Sequence, residues 1–263
     1  MASHDLRRIL AGWDYEPNQI TVRKVAGDDG SVKIQMRLPL GVLQMEDAGR
    51  PDGARPFGFD SLLDYHEHRS QEHVRKNGTA LGFELTPEEC RALRDESEMY
   101  YHRYLAEFVL EEFEGVAKDT ARNLGIVDLC RRYAREESDR VCLEQYRPYL
   151  IMMNTRAQTH LALRNGALKT ALARVDAGMG AIHELLVDVG QEDAFEELTE
   201  VSILLALRGE IAARLPADPV ERIEREIEKA VREERYEDAA ALRDRMEGLL
   251  AKRSAPAPKK RKK

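Results

Sequence analysis

From Asp60 onward the apolar residues of this chain recur at three- and four-residue spacing, and helix start and stop signals punctuate the run. A chain written this way is committed to helices over most of its length. Asp60 is placed to cap a helix carrying Leu62, Leu63, His66 and Val74, which stops at Asn77-Gly78. Thr86-Pro-Glu-Glu89 starts the next one, with Thr as the cap, Pro at the first helical position and a Glu placed to close a capping box. That helix puts Cys90, Leu93, Ser97, Tyr100, Tyr101, Tyr104, Leu105 and Phe108 on one stripe, and an aromatic stripe at this spacing reads as core. Further helices are expected at 116–124, 126–133, 148–163, 167–189 and 193–215.

The N-terminal part carries a different period. After a short expected helix within residues 1–13, Ile20-Thr-Val-Arg leads through Gly27-Asp-Asp-Gly30 into Val32–Leu38. There Val32, Ile34, Met36 and Leu38 alternate with Lys33, Gln35 and Arg37, the period-2 pattern of a strand with one face buried. Asp29-Gly30 is hairpin-turn chemistry. A lone hairpin is marginal in water, so a third strand at 42–45, a covering helix or a second copy is required. Residues 46–60 hold Gly49, Pro51, Gly53, Pro56 and Gly58 and form a long irregular loop, read as a surface connector. Arg50, Asp52 and Arg55 are its polar contacts if it binds anything.

Charge narrows the classes of partner. The net charge is −7, but residues 252–263, KRSAPAPKKRKK, hold seven basic residues and no acid, leaving 34 basic against 48 acidic residues before them. A body at −14 repels nucleic acid, and only the tail, with Lys259, Lys260, Arg261, Lys262 and Lys263, invites it. No run of about 18 apolar residues is present, so no membrane contact is expected. The N-terminus has neither the apolar core nor the cleavage site of a secretory signal, and the protein is read as cytoplasmic. Cys90, Cys130 and Cys142 are widely spaced with no CxxC, which argues for buried reduced thiols over disulfides or a zinc site. No cofactor is implied.

Residues 218–250 are two short amphipathic helices joined by a tight turn at Glu234-Arg235. Asp218 is placed to cap and Pro219 suits the first position. Val220, Ile223, Ile227, Ala230 and Val231 form one apolar seam; Ala239, Ala240, Leu242, Met246, Leu249 and Leu250 form the matching one. The two small alanines are expected to let the helices come close. Outward positions are charged, and Glu221–Arg225 and Glu228–Arg232 are i,i+4 pairs of favourable order. A hairpin this small buries little area, so its leftover apolar edge needs a partner: the body, a second copy or another protein.

The run Tyr236-Glu-Asp-Ala-Ala-Ala-Leu-Arg-Asp-Arg-Met246 resembles the UVR (UvrB/UvrC) motif. That family pattern is an aromatic residue, Glu, any residue, Ala-Ala, any residue, Leu-Arg-Asp, any residue, then an aliphatic one. The resemblance covers 218–250 only and is that of otherwise uncharacterised bacterial proteins carrying the motif. It implies protein–protein docking, the role of the module in excision-repair proteins, with occurrences also in Clp-type chaperones and arginine-kinase activators. The residues it marks as partner-binding are Ile223, Ile227, Tyr236, Ala239, Ala240, Leu242, Arg243, Asp244 and Met246, with Arg243 and Asp244 setting register. The GxxxxGK[ST] phosphate loop of a helicase subunit and the CxxC sites of the kinase activators are both absent. A second and weaker resemblance lies at Asn165-Gly166, where the flanking helices are similar to a tetratricopeptide hairpin with Ala171 at the close approach. A helical bundle or irregular solenoid fits the same stretch.

The expected fold is therefore mainly α: an α+β region with a β-hairpin over 1–82, a helical domain over 83–215, a helical hairpin over 218–251 and a disordered basic tail over 252–263. The leading functional reading is a non-enzymatic adaptor or regulator that docks a protein partner, or itself, through the hairpin. The first alternative is a nucleic-acid-associated factor, linked to DNA repair, that uses the tail non-specifically. The second is a metal-dependent enzyme at Asp64, His68 and Glu72, near His66 and His73. Two histidines seven residues apart lie about 10 Å apart along a helix, and the HExxH spacing is missing, which weighs against that site.

Overall fold

The start and stop signals set most of the helix ends. The computed structural model describes residues 5–215 and 219–254. In chain order it gives α1 (Arg7–Leu10), β1 (Val22–Ala26), β2 (Val32–Leu38), β3 (Gly41–Glu46), α2 (Leu62–Asn77), α3 (Pro87–Val109), α4 (Phe113–Tyr133), α5 (Glu137–Val141), α6 (Arg147–Arg164), α7 (Leu168–Asp188), α8 (Thr199–Arg214), α9 (Pro219–Arg232) and α10 (Tyr236–Ser254). The chain is mainly helical, with a small N-terminal antiparallel sheet and a C-terminal helical pair. It divides into two units, one ending at Ala213 and one beginning at Arg214, and each is described by itself.

Thr86 and Glu89 close the expected capping box at the start of α3, and Gly78 ends α2 with φ 73°. Three boundaries differ from the sequence expectation. Ser61, not Asp60, caps α2 by accepting from the Asp64 N–H. The helices expected at 116–124 and 126–133 are the single helix α4. Gly125 is there for packing, since a Cβ on it would lie 3.0 Å from Leu63 Cδ2 of α2. The helix expected from 193 begins only at Thr199, after a 3-10 turn at Glu192–Glu197.

The helices of the first unit pack mainly in chain order, α3 on α4, α4 on α6 and α6 on α7, so they form a row. Leu62 and Leu63 of α2, Leu93 and Tyr104 of α3, Ile126 of α4, Met152 of α6, Val175 of α7 and Val201 and Leu204 of α8 share one core. Gly166 takes φ 67° at the α6–α7 turn and Ala171 is fully buried. The tightest approach is elsewhere: a Cβ on Gly178 would lie 2.1 Å from Thr155 Oγ1.

The sheet runs β1-β2-β3, antiparallel throughout, so the expected third strand exists. Ile34, Met36 and Met45 pack on Ala106 of α3. The opposite face is not the solvated one expected, because Lys33 and Gln35 are buried as well. Arg23, Gln35 and Gln44 lie opposite one another in register and hydrogen-bond across the three strands. Lys33 Nζ sits between Asp29 (2.8 Å) and Glu46 (2.6 Å). Arg23 and Arg37 donate to the Ile9 and Trp13 carbonyls, which fastens the N-terminal segment to β1 and β2.

The Gly/Pro-rich loop is pinned to the helices. The buried Arg103 of α3 donates to the Glu46 and Gly49 carbonyls at 3.1 and 2.8 Å. Pro51 is buried, and its carbonyl accepts from the Glu46 N–H. Arg50 lies 3.1 Å from Asp52 and 3.5 Å from the buried Glu96, while Arg55 pairs with Asp60. Its charged groups are thus engaged within the fold.

Candidate functional site

The second unit contains the hairpin, and its turn is built without glycine. Glu234 takes φ 58°; its N–H donates to the Val231 carbonyl at 3.1 Å, and the Arg235 N–H donates to the Ala230 carbonyl at 2.8 Å. This pair of bonds is a Schellman motif with Glu in the left-handed position usually given to glycine. Arg235 then bridges the turn, pairing with Glu233 at 2.7 Å and with Asp238 in the first turn of α10.

Burial splits the nine residues singled out by the sequence into two groups. Ile223 and Ala239 are almost fully buried, together with Ala230, and Ile227, Leu242 and Met246 are half-buried. These close α9 onto α10. Tyr236, Ala240, Arg243 and Asp244 are exposed instead. At 100° per residue, Tyr236, Ala240 and Arg243 form one outward stripe on α10, beside the inward stripe of Ala239, Leu242 and Met246. Tyr236 is 66% exposed and Val231 at the end of α9 is 40% exposed, so apolar surface flanks the turn on both sides. The two alanines expected to act together do different things: Ala239 lets the helices close, and Ala240 faces outward.

Residues 218–252 match the UvrB/uvrC motif. The match takes in the hairpin and none of the first unit. The UvrB/uvrC motif points to an interaction with protein or DNA. No curated protein and no solved structure matches the chain.

Asp218 and the tail residues Lys259, Lys260, Arg261, Lys262 and Lys263 lie outside the described residues, as do the side chains of Val220, Glu221, Leu249 and Leu250. Helix α10 continues through Ser254. Among the described residues no helix is long and apolar enough to cross a membrane.

The histidines of α2 do not converge. His66 is buried, with its Nδ1 2.9 Å from Arg69 Nη1, and burial holds its pKa down at about 4. His73 Nε2 reaches the Leu81 carbonyl at 3.0 Å, and His68 lies against the Phe59 ring. Asp64 pairs with Arg122 and Glu72 with Arg75. Among the described residues no group of three or more His, Cys, Asp or Glu could hold a metal ion.

Proposed function

We propose that the protein is a non-enzymatic adaptor or regulator that docks a partner protein, or a second copy of itself, through the outward stripe of α10. The observation that carries this is the UvrB/uvrC motif folded as a separate unit with Tyr236 66% exposed. Exposed aromatic residues are the commonest anchors of protein interfaces. Arg243 within the stripe and Asp244 beside it carry opposite charges and set the register of docking.

Affinity capture with the full chain tests the reading. The pair Tyr236→Ala and Arg243→Glu should remove the captured partner, or shift the chain to monomer, without changing helical content. An unchanged partner set and unchanged oligomeric state would sink the docking idea. The alternative, a DNA- or RNA-associated factor in the cytoplasm, draws on the seven basic residues of 252–263. Binding through them should give log K falling against log salt with a slope of roughly −6. Deletion of 255–263 removes five of the seven, so it should cut the slope to roughly −2 with docking intact, which would separate the two readings.

A further inference from the structure

A cavity of about 650 Å³ opens between α3, α4 and the stretch from α5 to the start of α6, within the size range of small-molecule sites, roughly 300–1,000 Å³. Four of the nine tyrosines of the chain line it: Tyr101, Tyr104, Tyr146 and Tyr149. Tyr101 stands edge-on to Tyr104, with centroids 5.5 Å apart and planes at 90°, and is tilted 54° to Tyr149 at 6.5 Å. The lining is therefore aromatic on more than one wall, and the face of a tyrosine ring attracts positive charge.

The polar groups in the wall favour the same sign. Asn123 of α4 is 2% exposed; its Nδ2 donates to the Ser97 carbonyl at 2.9 Å, which fixes the amide orientation, because a carbonyl only accepts. Asn123 Oδ1 is then a buried acceptor, and it meets no protein donor among the described residues. A buried acceptor of this kind asks for an N–H or O–H. Glu98 lines the cavity with its side chain 73% exposed, and its Oε1 lies 3.8 Å from His102 Nε2. Arg94 is the only Lys or Arg among the described residues lining the cavity, and its charge is met by Asp139 at 2.5 Å. Aromatic faces, an acceptor without a donor and an outer carboxylate together select a cation with an N–H and an apolar body.

We propose that this cavity is a binding site for a small organic ammonium ion, its apolar part among the tyrosines and its N–H groups between Asn123 and Glu98. Calorimetric titration of the full chain with phenethylammonium, and with the similarly shaped anion 3-phenylpropionate, tests this. The ammonium should saturate one site, and the anion should bind at least about tenfold more weakly. Glu98→Gln, at an exposed position, should weaken the ammonium about two- to fivefold. Asn123→Ala should weaken it about tenfold, the loss of one hydrogen bond to a charged group. Equal binding of the two probes, no saturation by phenethylammonium up to about 10 mM, beyond the range of useful affinity, or binding that neither variant changes would each overturn the proposal.

Discussion

Arg103 of α3 and Asp119 of α4 form a two-pronged ion pair inside the first unit, Nε to Oδ2 at 2.7 Å and Nη2 to Oδ1 at 2.8 Å, with both side chains almost wholly buried. The remaining Nη1 takes the Glu46 and Gly49 carbonyls. One guanidinium therefore joins two helices to the loop that follows the sheet. Breaking such a pair from one side leaves a buried charge without its counter-charge. Arg103→Met should cost about 3–5 kcal/mol of unfolding free energy, read from the urea midpoint. Replacing both partners, Arg103→Met with Asp119→Leu, should recover much of that loss, although the two loop carbonyls stay without their donor.

Glu107 lies beside this pair, its Oε1 3.9 Å from Arg103 Nε and its Oε2 buried with no protein partner among the described residues. Burial, and next the negative charge of Asp119, push its carboxyl up to about 8. One arginine does not balance two buried carboxylates, so Glu107 keeps its proton at neutral pH. Its folded pKa is raised above the unfolded value of 4.5, so the folded chain holds the extra proton between those values. Stability from this group is fully present below pH 4.5 and is lost as pH rises toward about 8. Glu107→Gln, which mimics the protonated form, should flatten that decline and leave the variant the more stable chain at alkaline pH. Denaturation midpoints across the range check it; a slope unchanged by the substitution would assign the decline to other groups.

How much of this was legible varies with the chemistry. Caps use short-range signals, and Thr86, Gly78 and Gly166 were readable for that reason. The turns at Glu111 and Glu234 share the left-handed conformation of Gly166 without its residue type, and only the loss of apolar period marks them. Buried charge was harder. Glu96, Arg103 and Glu107 lie on the same side of α3 as Leu93, Tyr100 and Tyr104, so charged letters inside an apolar stripe were the available signal. Their partners, Leu62, Leu63 and Asp119, come from other elements, and no local pattern announces them. The same holds for the tyrosine-lined cavity: Tyr101 and Tyr104 read as core, and nothing near them places Tyr146 and Tyr149 opposite.

The left-handed Glu234 gives a test of the hairpin turn. A residue with a Cβ costs roughly 1–2 kcal/mol in that conformation, and glycine escapes it while losing some chain entropy on folding. Glu234→Gly should therefore stabilise the hairpin by about 0.5–1 kcal/mol, seen as slower amide exchange in α9 and α10 with exchange in α3 and α4 unchanged. Glu234→Val, β-branched at a positive φ, should act in the opposite direction.

Ala239 and Ala240 separate hairpin closure from docking within two adjacent residues. Ala239 is 2% exposed between α9 and α10, whereas Ala240 faces outward in the stripe of Tyr236 and Arg243. Ala239→Glu puts a charge without a partner at a buried position of the hairpin, so the hairpin should open and its amides should lose protection. Ala240→Glu places a charge on the surface at a position that tolerates it, so helicity and exchange should stay within about 0.5 kcal/mol of the parent. If the outward stripe docks a partner, Ala240→Glu alone should abolish capture while the hairpin remains closed. Capture that survives Ala240→Glu and fails only with Ala239→Glu would mean that the hairpin supports the contact from beneath and another surface makes it.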